Sequence, residues 1–321
     1  MPSAIEIRGL TKEFGAIRAV DDLSFEVAEG RVTGFLGPNG SGKTTTLRML
    51  LGLVSITDGT ATFGGRRYAQ LDHPIRHVGS ALEATSFHPT RRAGDHLRTV
   101  ALASGVPMSR VEETLDIVGL TDVARRRVGK FSLGMRQRLQ LATALLGDPE
   151  ILILDEPANG LDPQGIQWLR TFIRSQAAAG HAVLVSSHLL SEMEETVDDV
   201  VIISQGRLVL QTTLADMAAQ AGTGTGMRIR TPEINRLAEA LNAIPVGWRQ
   251  TAPDTLVIDG ATPEWFGPFA AQHQIVLYEL IHERSSLEDV FLQLTHGFDT
   301  AHPPEVGSGQ SAPFTMPEES P

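Results

Sequence analysis

No cysteine occurs in the 321 residues. That excludes a disulfide framework and any thiolate-bound metal, and it fits a reducing cytoplasm. Positive charge is scarce: 27 Lys and Arg stand against 38 Asp and Glu, a formal net charge of −11. So acidic a chain is a poor match for a phosphate backbone, and no nucleic acid is expected as a partner. No apolar run approaches the ~20 residues that span a bilayer. Met1–Glu6 offers neither the basic nor the apolar stretch of a signal peptide. If the protein serves a membrane, other polypeptides are expected to supply the spans. What is present is a hydrophobic content of 41%, enough for a globular core, in a length with room for one large domain and a smaller one.

The stretch Gly37-Pro38-Asn39-Gly40-Ser41-Gly42-Lys43-Thr44 fits G-x-x-x-x-G-K-[ST], the loop that wraps the phosphates of a nucleoside triphosphate. Glycines let the backbone take open φ values and approach an anion closely, so that successive N–H groups form a nest for phosphate oxygens. Lys43, on a loop expected to face solvent, should reach the β- and γ-phosphates, and the Thr44 hydroxyl should hold Mg²⁺. Val32–Leu36 reads as a buried strand feeding the loop. Leu47, Leu50 and Leu51 mark one face of a helix leaving it, whose N-terminus aims its dipole at the anion.

Upstream, Ile5, Ile7, Leu23, Phe25 and Val27 alternate as in strands, which suggests a small, largely antiparallel sheet. Phe14 there is either an aromatic that stacks on adenine or a core side chain. Downstream, Asp58-Gly59 and Gly64-Gly65 bracket a hairpin-like piece, and residues 73–92 are loop-rich. Helices are predicted around Asp95–Ala103 and from Ser109, where Ser109-Arg110-Val111-Glu112 has the form of a capping box; these helices would form a separate lobe. Phe131-Ser132-Leu133-Gly134-Met135 precedes another helix. Ile151–Leu154 is an unbroken apolar run, as in a parallel strand buried on both faces. It ends in Asp155-Glu156, where open α/β sheets place their ligands. Asp162-Pro163 should cap the next helix. Ala182–Val185 is a further buried strand ending at Ser186-Ser187-His188, and a helix and a strand pair (Val200–Ile203, Arg207–Leu210) should close the domain. Ala221–Gly226 reads as a flexible linker.

Phosphoryl transfer to water needs phosphate cradling, Mg²⁺, a positioned water and charge stabilisation. Asp155 is a candidate to hold Mg²⁺ through water, Glu156 a candidate general base, and His188 a candidate contact to the γ-phosphate, although a lone His is more often structural.

In this order the residues resemble an ABC-type ATPase, the nucleotide-binding subunit of an ATP-binding cassette transporter, from about residue 4 to 217. Gly37–Thr44 resembles the family's Walker A and Ile151–Asp155 its Walker B. Glu156 is similar to its catalytic carboxylate, Gly160-Leu161-Asp162 to its D-loop, and His188 to its switch histidine. Phe14 takes the position of its adenine-stacking aromatic. The resemblance implies ATP contacts from Phe14, Gly37, Pro38, Asn39, Gly40, Ser41, Gly42, Lys43, Thr44, Thr45, Ser132 and Gly134. It implies catalytic roles for Glu156, His188 and Lys43, and Mg²⁺ at Thr44, Glu83 and Asp155. Two segments depart from the family pattern. The signature, roughly Leu-Ser-Gly-Gly-Gln in the family, is Phe131-Ser132-Leu133-Gly134-Met135 here, similar to the branch of bacitracin- and lantibiotic-type exporters (ABC-2 type). Glu83 stands where the Q-loop usually ends in Gln.

The fold this implies is α/β: a P-loop ABC-type ATPase core, with a mixed sheet, an antiparallel β subdomain and a helical subdomain, plus a small C-terminal α/β appendage. The expected boundaries are 4–220 for the ATP-binding domain, 227–297 for the appendage and 298–321 for a disordered, proline-rich tail without Lys or Arg. The resemblance also implies a head-to-tail dimer that encloses two ATP, and separate membrane-spanning permease subunits docked around Ala84–Gly105. The expected location is the cytoplasmic face of the membrane. An importer subunit and a non-transport ABC-like ATPase are the alternatives; the latter typically has a long coiled-coil insertion or two cassettes. A GTPase would want an Asn-Lys-x-Asp motif, which the sequence lacks.

Overall fold

The computed structural model describes residues 3–82, 87–223 and 226–283, and, in the C-terminal segment, residues 287, 288, 290–292, 294 and 295. Strands β1 (Ser3–Phe14) and β2 (Ile17–Ala28) form a long hairpin that leads into β3 (Val32–Leu36), the glycine-rich loop and α1 (Lys43–Leu50). β4 (Asp58–Phe63) returns to β1, giving an antiparallel sheet of order β2-β1-β4. The glycine-bracketed piece is thus one strand of that sheet and not a hairpin of its own. Then come β5 (Val78–Ala81), the helices α2 (Ala93–Ser104), α3 (Ser109–Ile117) and α4 (Leu133–Leu145), and β6 (Ile151–Asp155). α5 (Pro163–Ala178), β7 (Ala182–Ser187), β8 (Asp199–Ser204) and β9 (Arg207–Thr213) follow.

Six strands form the main sheet in the order β5-β6-β7-β3-β8-β9, with only β9 antiparallel. β3, β6 and β7 are buried at every residue because both faces of the sheet are covered, which is why they lack an alternating pattern. On one face Phe35, Ile153 and Leu184 pack with Leu47 of α1 and with Ile7 and Phe25 of the antiparallel sheet. On the other, Leu36, Leu152, Leu154 and Val185 pack with Leu97, Leu139 and Ile173 of the helices. β3 is central, between β7 and β8. The carboxyl ends of β3, β6 and β7 therefore open on one edge of the sheet, and the glycine-rich loop, Glu156 and His188 follow those ends, whereas Phe14 ends β1 and Ser132 precedes α4.

After α6 (Leu214–Thr223) the chain runs β10 (Gly226–Arg230), α7 (Ile234–Asn242), β11 (Trp248–Ala252), β12 (Thr255–Asp259), α8 (Pro263–Gln272) and β13 (Glu279–Glu283). The βαββαβ succession folds into an antiparallel sheet of order β11-β12-β10-β13, a ferredoxin-like arrangement. Leu237, Leu241 and Phe266 of its helices cover Met227, Ile229, Leu256 and Ile258. Beyond it the chain returns to the main body: Phe291 is buried in the same core as Leu36 and Leu97, with Leu287, Val290 and Leu294 packed against it.

Some local expectations give way. α6 includes Ala221–Thr223 of the expected linker, and Gly226 is already paired on both sides, with Asp259 and Glu283. No capping box forms at Ser109: the first helical bonds run to Pro107 and Met108, so Ser109 lies inside the first turn. The helix expected between His188 and Val200 does not form, and residues 191–196 are turns. There the Ser187 hydroxyl, bonded to Leu189 N–H and to Glu192, bends the chain on itself. α8 has no counterpart in the sequence reading because Gly267-Pro268 looks like a turn. Burial of Phe266 and Ala270 outweighs that signal. The tail 298–321 lies outside the described residues.

Candidate functional site

The loop after β3 closes on itself because its glycines touch backbone. A Cβ on Gly37 would lie 2.4 Å from Ile203 O and 2.6 Å from Ser41 Oγ. Gly42, at φ +101°, approaches Ala19 O as closely, at 2.6 Å. Ser41 Oγ is buried with no hydrogen-bond partner, an orphan hydroxyl in the wall of the loop, where a phosphate oxygen could satisfy it. No acidic residue occupies the first turn of α1, so its N-terminal partial charge is left for an anion near Thr44 and Thr45.

Lys43 opens α1 and is only 6% exposed, a correction to its expected solvent-facing place. Its Nζ donates to Gly37 O (2.7 Å) and Pro38 O (3.2 Å) and lies 3.7 Å from Glu156 Oε1. Burial pushes the ammonium pKa down, and the carboxylates of Glu156 and Asp155 oppose that shift.

Asp155 ends β6 between two hydroxyls. Thr44 Oγ1 donates to its Oδ2 (2.8 Å) and Ser186 Oγ to its Oδ1 (2.5 Å). Ser186 also accepts the Glu156 N–H at 2.9 Å. That bond helps hold Glu156 at φ +49°, a conformation uncommon for a residue with a Cβ and one that marks many functional sites. The Glu156 Oε2 atom lies 2.8 Å from His188 Nδ1. One edge of the main sheet therefore brings together Lys43, Thr44, Asp155, Glu156 and His188, from three strand ends. A hydroxyl and a carboxylate are hard oxygen donors suited to Mg²⁺, which takes few protein ligands and shares the rest with phosphate. Among the described residues no group of three or more His, Cys, Asp or Glu could hold a metal alone, so no closed cage competes with this shared site.

An ABC transporter family model matches residues 20–159. Over 301 residues the chain is 36% identical to the uncharacterized ABC transporter ATP-binding protein YhcH of Bacillus subtilis (strain 168), covering 92% of this chain and 97% of that protein. The chain belongs to the ATP-binding proteins of ABC transporters. It is 45% identical over 212 residues to the bacitracin transport ATP-binding protein BcrA of Bacillus licheniformis, 65% of this chain and 69% of that one. It is 39% identical over 207 residues to the lantibiotic transport ATP-binding protein SrtF of Streptococcus pyogenes, 64% and 90% of the two chains. Among solved structures, an ATP-binding subunit of an ABC transporter superposes with TM-score 0.62 at 29% identity, covering 68% of this chain and 94% of that one. Residues 225–288 match a domain of unknown function (DUF8746).

In this ABC ATPase the segment that resembles the signature, Phe131–Met135, runs into the start of α4. Ser132 is its N-cap, accepting the Met135 N–H at 3.2 Å, and Gly134 lies against Leu161. No hydrogen bond among the described residues joins Ser132 or Gly134 to the glycine-rich loop. Phe14 is 50% exposed at the end of β1, so it is not a core side chain. Lys12 Nζ sits 4.9 Å from its ring centroid and donates to Ser55 O at 2.7 Å, steadying one side of the ring. Glu83 lies outside the described residues; β5, the strand before it, runs parallel beside β6. Sequence reasoning passed over Lys12, Ser186 and Asn159. Lys12 was findable from its i, i+2 spacing to Phe14 on one strand face. Ser186 was not, because it meets Asp155 through the β6–β7 register.

Proposed function

We propose that this ATPase powers export of an antibiotic-like or drug-like compound through separate membrane-spanning permease subunits, by closing head to tail on two ATP and reopening after hydrolysis. The observation that carries the catalytic reading is Glu156, held in a left-handed conformation with its carboxylate between His188 and Lys43. In this reading the Gly37–Thr45 loop cradles the phosphates, Phe14 stacks on adenine, and Ser132 and Gly134 close on the partner subunit's ATP. Glu156 accepts a proton from the attacking water, while His188 orients that carboxylate and contacts the γ-phosphate. Thr44, Asp155 and Glu83 would hold Mg²⁺, which would neutralise phosphate charge there.

Support for pairing comes from a dimeric bacterial ABC transporter cassette that shares the fold, with TM-score 0.60 at 21% identity. Support for export comes from relatives named for bacitracin and lantibiotic transport. None of the described helices is long and apolar enough to cross a membrane, in keeping with a subunit seated on the cytoplasmic face. Glu156→Gln keeps shape and hydrogen bonding but removes the base. Hydrolysis should fall at least ~10²-fold while Mg·ATP still binds, and the mutant should accumulate as an ATP-bound dimer in size exclusion with light scattering. Turnover at the wild-type rate would overturn the assignment of the base, and a strictly monomeric ATP-bound mutant would overturn the head-to-tail pairing.

A further inference from the structure

We infer that Leu133 is a positioning residue: it holds the loop Asn159-Gly160-Leu161, and through that loop Glu156, against the N-terminus of α4. Gly160 is the point of contact. A Cβ there would lie 2.0 Å from Leu133 Cδ2 and 2.8 Å from Leu133 Cγ, so the leucine side chain rests directly on bare backbone. Gly160 is also at φ +76°, where a side chain is strained in any case. The approach is mutual, since a Cβ on Gly134 would sit 3.3 Å from Leu161 Cδ2. One turn along the same helix face, Gln137 Nε2 donates to Asn159 O at 3.0 Å. On its other side the loop is tied to the base: the Asn159 N–H donates to Glu156 O at 3.2 Å, and Asn159 Nδ2 to Glu156 Oε2 at 3.4 Å.

Leu133 is 43% exposed and belongs to no buried cluster, so core packing does not account for a leucine here. What it covers is the loop. A glycine at 133, as in the more common form of the signature, would leave Gly160 without that buttress. On the head-to-tail pairing proposed above, the start of α4 serves the partner subunit's ATP, whereas Glu156 serves the subunit's own. The contact then ties the closure of one nucleotide site to the readiness of the base in the other. That consequence rests on the pairing; the positioning of the loop does not.

The test is a double-mutant cycle in the full chain, with Leu133→Ala, Gly160→Ala and both together, read in kcat and in equilibrium Mg·ATP binding. Leu133→Ala should lower kcat about 3- to 10-fold with ATP affinity within about twofold of wild type, and Leu133→Met, which still covers Gly160, should restore most of it. Gly160→Ala should cost less in the Leu133→Ala background than alone, by at least about 3-fold in kcat, because the steric overlap is gone and only the φ strain remains. Multiplicative effects of the two substitutions, or no rescue by methionine, would overturn the inference. Thermal melts of each variant separate a positioning loss, which leaves the melt in place, from unfolding, which would count against it. Light scattering of Glu156→Gln reads the pairing on its own, so a failure there leaves the cycle in kcat fully interpretable.

Discussion

Lys43 shows how burial and charge oppose each other at one side chain. Its ammonium is desolvated, yet two carbonyls and the Glu156 carboxylate surround it. Lys43→Ala removes the cation that a triphosphate would meet, at a cost of about 2–5 kcal/mol in ATP binding. Titration with a fluorescent ATP analogue checks this, with circular dichroism to show that the fold persists. His96 supplies a pH prediction. Burial and then the charge of Arg91 push its pKa down, and the ring lies 4.9 Å from Phe87 and 3.3 Å from Thr143 Oγ1. The folded state therefore holds His96 neutral, while the unfolded chain takes up a proton below about pH 6.5. Its contribution to stability is full above that pH and is lost as pH falls toward the lower folded value. Urea denaturation at pH 7.5 and 5.5 should show a larger loss for wild type than for His96→Gln; equal losses would sink the idea.

Individual elements were legible wherever a local rule had no competitor. Asp162-Pro163 caps α5 as read, with Asp162 Oδ1 accepting the Gly165 N–H at 2.8 Å. Ser109 met a competitor, since Pro107 started the helix earlier and the capping box lost its geometry. β11 and α8 carried no local signal that survives on its own, because Trp248–Ala252 is mostly exposed and polar and Gly267-Pro268 mimics a turn. A latch between elements is equally invisible in sequence. Arg31, just before β3, grips Asp199 at the start of β8 through two hydrogen bonds of 2.5 and 2.6 Å. Asp199→Asn keeps the shape and removes the charge. It should cost about 1 kcal/mol, near the lower end for charged hydrogen bonds because the pair is partly exposed. Chemical denaturation measures the change.

At the scale of the whole molecule the return of the chain after β13 matters most. Phe291 is buried in the core under the helical face of the main sheet, far along the sequence from every partner it has there except Leu287, Val290 and Leu294. Phe291→Ala should therefore destabilise the body that carries the ATP site by about 3–5 kcal/mol, the usual range for an aromatic cavity. Truncation after Gly297 keeps that anchor, so ATPase activity and melting temperature should stay near wild type. Truncation after Glu283 removes the anchor and should lower the melting temperature by several degrees. Equal melts of the two truncations would show that the return segment does not brace the fold.

The candidate chemistry of the site is legible in short stretches of sequence. Glycine spacing, Lys43-Thr44, Asp155-Glu156 and the order in which they occur are local facts, because a phosphate cradle and a strand-end carboxylate pair are built from neighbouring residues. How those pieces meet depends on the fold. The β6–β7 register puts Ser186 beside Asp155, Lys43 is buried instead of solvent-facing, and Leu133 lands on Gly160 twenty-odd positions downstream. These are contacts between residues distant along the chain. Strand register and helix packing set them through burial summed over whole faces, and no short window of sequence contains that sum.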